Sequence, residues 1–156
     1  MEGWACGLSL IALTICLHMT AVSILAFGLY RFRVRLERRN LPVARAIAIL
    51  IVAFTAIGLL LALLHGMEAA LWAGAYLWLG VFKSPGTAIF YSADSMTTRG
   101  AAGAMLPPHW QMMGALEAAD GMLLFGISTA FIFTVMQFYY QHLVLLERPA
   151  GRIGRR

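Results

Sequence analysis

The sequence predicts an all-helical integral membrane protein with three transmembrane helices and a short re-entrant helix and loop between the second and third. Three observations carry this. Hydrophobic residues make up 61% of the 156-residue chain and charged residues 12%, where a soluble domain carries roughly 25% charge. Three apolar stretches, residues 4–30, 44–82 and 110–140, each exceed the ~20 residues needed to cross a bilayer core. Four of the seven acidic residues, Glu68, Asp94, Glu117 and Asp120, lie in or between stretches otherwise suited to lipid, with Arg99 among them. A charge in hydrocarbon costs about 2.5–3.5 kcal/mol on insertion scales, so such groups face protein or a water-filled path.

The first stretch reads as a retained helix rather than a signal peptide, because Glu2 precedes it and it exceeds the apolar core of a leader. It is almost uniformly apolar, so it is expected to pack on the outside. His18, its only strongly polar interior residue, reads as a hydrogen-bonded or snorkelled imidazole rather than a ligand. Cys6 and Cys16 are separated by about 15 Å of helical rise, too far to bridge, and are expected to be small buried residues.

The net charge of +5 is positional. Arg31, Arg33, Arg35, Arg38, Arg39 and Arg45 separate the first two stretches, and Arg148, Arg152, Arg155 and Arg156 lie in the tail. By the positive-inside rule both clusters are cytoplasmic, which puts the N-terminus outside. Contact with anionic lipid follows; nucleic-acid binding does not.

The second stretch opens near Pro42, a residue suited to a helix start. Residues 44–80 would extend about 55 Å as one helix. That length requires tilt, a kink near Gly66, or an end standing clear of the bilayer. Its last part, residues 71–78, holds aromatic rings of the kind found at membrane interfaces. Ser84 and Pro85 then form a cap and first turn. A helix over 85–97 would be roughly 20 Å long, enough to enter a membrane and not to leave it. The small residues 98–103 follow, and Pro107–Pro108 precede a last helix beginning near His109 and Trp110. Non-helical backbone at membrane depth needs shelter from protein or a water-filled cavity.

Helix, short helix, threonine-glycine loop, helix is the layout of a tetrameric cation-channel pore. Residues 90–100 (FYSADSMTTRG) resemble the pore helix and filter entrance of two-transmembrane potassium channels, whose run ends in TTVGYGD. His65-Gly66-Met67-Glu68 with Trp72 and Tyr76, and Gly114-Ala115-Leu116-Glu117 continuing to Gly126, are similar to bacterial proteins of that group. The resemblance covers about residues 44–137. It implies a homotetramer in a bacterial inner membrane and a selectivity filter at Thr97, Thr98, Arg99, Gly100, Ala101, Ala102 and Gly103. Potassium channels ring the ion with backbone carbonyls from TVGYG loops. Here TTRGAAG replaces TTVGYG, with Arg99 at the valine position and Ala101 at the tyrosine position. The implied permeant species is a monovalent cation, K+ or Na+, with potassium selectivity not carried over.

Around this loop the candidates are Asp94, Arg99, Glu117, Asp120, His65 and Glu68. The resemblance places Asp94 where family members hold an acidic residue behind the filter. An Asp94–Arg99 pair is therefore expected, against an Arg99 facing the lumen or bonded to Glu117 or Asp120. His65 and Glu68 share a helical face, as do Glu117 and Asp120, and the two pairs lie at comparable depth. They read as one polar network behind the pore helix, structural or proton-sensing, with Asp120 alternatively facing a cavity. Gly121 and Gly126 are candidate gating hinges or packing contacts. Ser128, Thr129 and Thr134 either line a vestibule or bond their own helix.

The organisation expected is an N-terminal helix and basic loop (1–43), a channel-like module (44–140) and a basic tail (141–156). The function expected is a channel passing monovalent cations, or alternatively a non-conducting channel-like subunit with a structural or regulatory role. No enzyme, resident metal, cofactor or soluble partner is expected: no nucleophile and no complete metal motif accompanies the carboxylates.

Overall fold

The computed structural model describes residues 2–37, 42–99 and 105–147. They form four α-helices: α1 (Glu2–Glu37), α2 (Val43–Trp78), α3 (Pro85–Met96) and α4 (Gln111–Glu147), the last entered through a 3-10 turn at Pro108–Trp110. No strand occurs among the described residues. Three of the helices, over residues 3–35, 44–78 and 108–140, are long and apolar enough to cross a membrane. The chain is accordingly a multi-pass membrane protein. Large apolar side chains such as Ile24, Val52, Leu63 and Met122 stand on its outer faces.

At about 1.5 Å per residue α2 extends about 54 Å, and it runs unbroken through Gly66. α1 packs mainly on α4, α2 mainly on α3, and α3 also lies against α4. Paired contacts set the directions. Thr14 meets Asp120, His18 meets Ser128 and Tyr139 reaches the Leu29 carbonyl, so α1 and α4 run parallel. Tyr76 meets Glu117 and His65 meets Ser128, so α2 is antiparallel to both. One apolar cluster, including Trp72, Tyr76, Tyr91, Met113 and Leu124, fills the end where α3 sits. A second, including Val22, Leu50, Ile57 and Val135, fills the other end. Buried polar side chains occupy the level between.

α3 begins as its sequence dictates: Ser84 Oγ accepts from the Thr87 N–H at 3.5 Å, and Pro85 opens the first turn. It ends one residue short of the expected Thr97. α2 and α3 close with the same C-terminal turn. After α2 the Gly80 N–H bonds the Leu77 carbonyl (3.1 Å) and the Val81 N–H bonds that of Tyr76 (2.9 Å). After α3 the Thr98 N–H bonds the Ser95 carbonyl (2.9 Å) and the Arg99 N–H that of Asp94 (3.3 Å). These are the paired bonds of a Schellman motif, which places one residue in the left-handed region. Gly80 takes that conformation at φ 70°; the β-branched Thr98 takes it at φ 57°.

A left-handed conformation costs a residue with a Cβ about 1–2 kcal/mol. Glycine returns about 0.5–1 kcal/mol of that through the freedom of the unfolded chain. Thr98→Gly is therefore expected to raise the thermal midpoint of the detergent-purified protein slightly, and Thr98→Val to lower it. A clear fall for Thr98→Gly would refute the left-handed assignment.

Candidate functional site

The polar side chains form a ladder up the inside of the bundle, each rung but the last bridging two or three helices. The first rung is a closed ring. His18 Nδ1 and His65 Nδ1 meet the two oxygens of Glu68 at 2.9 and 3.1 Å. The Nε2 atoms of both imidazoles meet Ser128 Oγ, each at 3.1 Å. His18, Glu68 and Ser128 are buried, His65 nearly so, and the ring of His65 stacks on Phe125.

One turn along, the Thr14 hydroxyl (2.7 Å) and the Trp72 indole N–H (3.0 Å) both donate to Asp120 Oδ2. Next, Tyr76 donates to Glu117 Oε2 at 2.9 Å. The Ser92 hydroxyl of α3 lies beside that carboxylate without closing a hydrogen bond to it. The last rung belongs to α3: Arg99 Nε donates to Asp94 Oδ1 at 2.6 Å. The carboxylate is almost fully buried, while the Arg99 side chain is 66% exposed on the single chain. Arg99 pairs with neither Glu117 nor Asp120.

The structure thus brings Asp94 to Arg99 and His65 to Glu68. It divides the expected single network, because the bonded groups around Glu68, Asp120 and Glu117 share no hydrogen bond among the described residues. They remain electrostatic neighbours, Asp120 feeling both Glu68 and Glu117. Asp120 does not stand open to a cavity within the single chain: it is fully buried between α1, α2 and α4. Thr97 Oγ1 bonds back to the carbonyls of Ala93 and Asp94. The remaining filter candidates, Gly100, Ala101, Ala102 and Gly103, lie outside the described residues, as do Arg148, Arg152, Arg155 and Arg156 of the tail.

Gly121 and Gly126, both on α4, differ. A Cβ on Gly121 would strike the backbone of Met96, meeting its carbonyl oxygen and, at 2.7 Å, its Cα, whereas nothing lies within 4 Å at Gly126. Gly121 is the point where α3 and α4 touch backbone to side. Thr129 and Thr134 bond their own helix at 2.8 Å each, but Ser128 does not.

Three sequence expectations require correction. α1 is neither featureless nor merely peripheral: Thr14 and His18, four residues apart on one face, reach two of the carboxylates. Trp72 and Tyr76 are fully buried hydrogen-bond donors, since Glu68, Trp72 and Tyr76 repeat every four residues and form one inward stripe; of that aromatic group, Trp78 is exposed, at 85%. Cys16 is exposed on the single chain and Cys6 half-buried, both as free thiols.

Compared with protein-family models, curated proteins and solved structures, the chain finds no match.

Proposed function

We propose that four copies of this chain assemble about a central axis into a membrane channel of the potassium-channel type. In this reading α3 enters the membrane part-way as a pore helix, and residues 97–103 form a filter-like loop that passes monovalent cations. One observation carries it: a helix of 12 residues, about 18 Å and too short to span, is packed between two that can.

The surface of α3 supports the reading. Ala88, Tyr91, Ser92, Asp94, Ser95 and Met96 face their own chain. Ile89, Phe90, Ala93 and Thr97 form an uncovered side available to a neighbouring copy. The C-terminal end of a helix carries partial negative charge, which favours a cation beyond it. A single such loop encloses no path, so several copies are required. By the positive-inside rule the arginines at 31–45 and in the tail favour a cytoplasmic side for those segments and an outer N-terminus, and the channel reading goes with a bacterial inner membrane.

A second reading, a channel-like subunit that does not conduct, is favoured by the exposure of Arg99, since four guanidinium groups around an axis would repel cations. Purified protein reconstituted in liposomes separates the two. The channel reading expects a cross-linked tetramer and K+ or Na+ flux that Gly100→Val abolishes. A tetramer without flux selects the non-conducting subunit, and a monomer overturns both.

A further inference from the structure

The ring of His18, Glu68, His65 and Ser128 stands apart from the pore helix and the filter-like loop. None of its members lies on α3 or in the loop that follows, yet it joins all three long helices at the centre of the bundle. A histidine from α1 and a histidine and carboxylate from α2 present three ligand atoms within 4.8 Å of one another. Ligand atoms around a zinc ion with bonds of about 2.0–2.2 Å stand about 3.3 Å apart. The Nδ1–carboxylate separations of 2.9 and 3.1 Å, each to a different oxygen of Glu68, lie a little inside that spacing. Two imidazoles and a carboxylate form a donor set that suits zinc and its first-row neighbours.

The outer shell fits as well. A metal-bound imidazole donates its other ring N–H to a fixed acceptor, which sets its tautomer and orientation. Here both Nε2 atoms converge on one acceptor, Ser128 Oγ, whose two lone pairs can receive both N–H groups. Charge is balanced from the next rung. Asp120 is fully buried, is an electrostatic neighbour of Glu68 and His18, and keeps one oxygen, Oδ1, without a hydrogen-bond partner among the described residues. A dication offsets the charges of Glu68 and Asp120, the kind of pairing that buried charges in hydrocarbon surroundings require.

We propose that His18, His65 and Glu68 hold a divalent transition-metal cation of the zinc class, with Ser128 orienting both imidazoles. The ion ties α1 to α2 and α4, and its binding is independent of whether the protein conducts. The competing occupant is a single proton. With Glu68 protonated, or one imidazole charged, the four side chains close a complete hydrogen-bond ring and leave no place for a metal.

The full-length protein, purified in detergent from cells grown with added zinc, tests this by elemental analysis and by reloading with Zn2+ or Co2+ after chelation. About one metal per chain is expected, with visible ligand-field bands for the cobalt form. Ser128→Ala is expected to weaken Zn2+ binding by about 10–100-fold, and His18→Ala or Glu68→Gln to remove it. If those variants fail to fold, the cobalt spectrum of the wild type and its change in Ser128→Ala decide. Wild-type protein that takes up neither metal, or uptake unchanged in folded His18→Ala, Glu68→Gln and Ser128→Ala proteins, overturns the proposal and leaves the proton-closed ring.

Discussion

Gly121→Ala is expected to destabilise the folded chain severely, and Gly126→Ala to leave it unchanged or slightly more stable. Both glycines lie within one helix and five positions of each other, so helix propensity alone predicts the same small gain for both, about 1 kcal/mol or less. The surroundings separate them. At Gly121 the added methyl meets the Met96 carbonyl oxygen, Cα and carbonyl carbon, the last two at 2.7 and 2.8 Å. A side chain in that place could rotate aside; backbone at the end of α3 moves only if the helix moves. Overpacking of this kind costs about 1–3 kcal/mol, more where nothing yields. Thermal unfolding of the purified protein in detergent measures the difference. Equal midpoints for the two variants would show that α3 and α4 do not touch at this point. A hinge at Gly126 would appear instead as altered conduction at unchanged stability.

Asp120→Ala is expected to cost about 2–4 kcal/mol, and Asp120→Asn within about 1 kcal/mol. The alanine variant leaves the buried Trp72 indole N–H without an acceptor, at about 1–3 kcal/mol, and adds a small cavity. Thr14 suffers less, because its hydroxyl also reaches the carbonyls of Leu10 and Ile11. Asparagine keeps an amide oxygen where Oδ2 accepts both bonds. Urea or thermal denaturation of the two variants reads the result. Comparable losses for both would mean that the charge, rather than the acceptor, matters there. A conduction defect in Asp120→Asn at normal stability would return this residue to a cation path.

Much of the architecture was legible because hydrocarbon leaves little choice. Length and apolarity marked the three long helices, and Ser84-Pro85 marked the start of α3. The Asp94–Arg99 pair was expected from the resemblance of residues 90–100 to a channel pore helix, and the two side chains do meet. The side chains that complete the polar ladder were harder to read. A lone threonine and a lone histidine in an apolar helix carry little weight singly. Their signal was their spacing: Thr14 and His18 continue a buried face begun by Gly3 and Gly7. The aromatic residues of α2 misled for a related reason. Trp and Tyr at a helix end suit the headgroup region, and only the four-residue step from Glu68 to Trp72 to Tyr76 distinguishes a stripe from a belt. The turn after α3 gave no signal, since threonine is not expected where glycine closes α2.

Between helices in lipid, greasy contact provides no preference for one neighbour over another, and directional bonds select the partner. The hydroxyl and imidazole on α1 therefore act as a key with a single seat. Shifted by one turn along α4, they would lose Asp120 and Ser128 together and leave both with their α2 partners alone. A chain begun at Ala44 would still thread the bilayer, but with Glu68 reduced to one imidazole and Asp120 to one indole. A generic leucine helix supplied in place of α1 could fill the volume and would still fail to settle in one position.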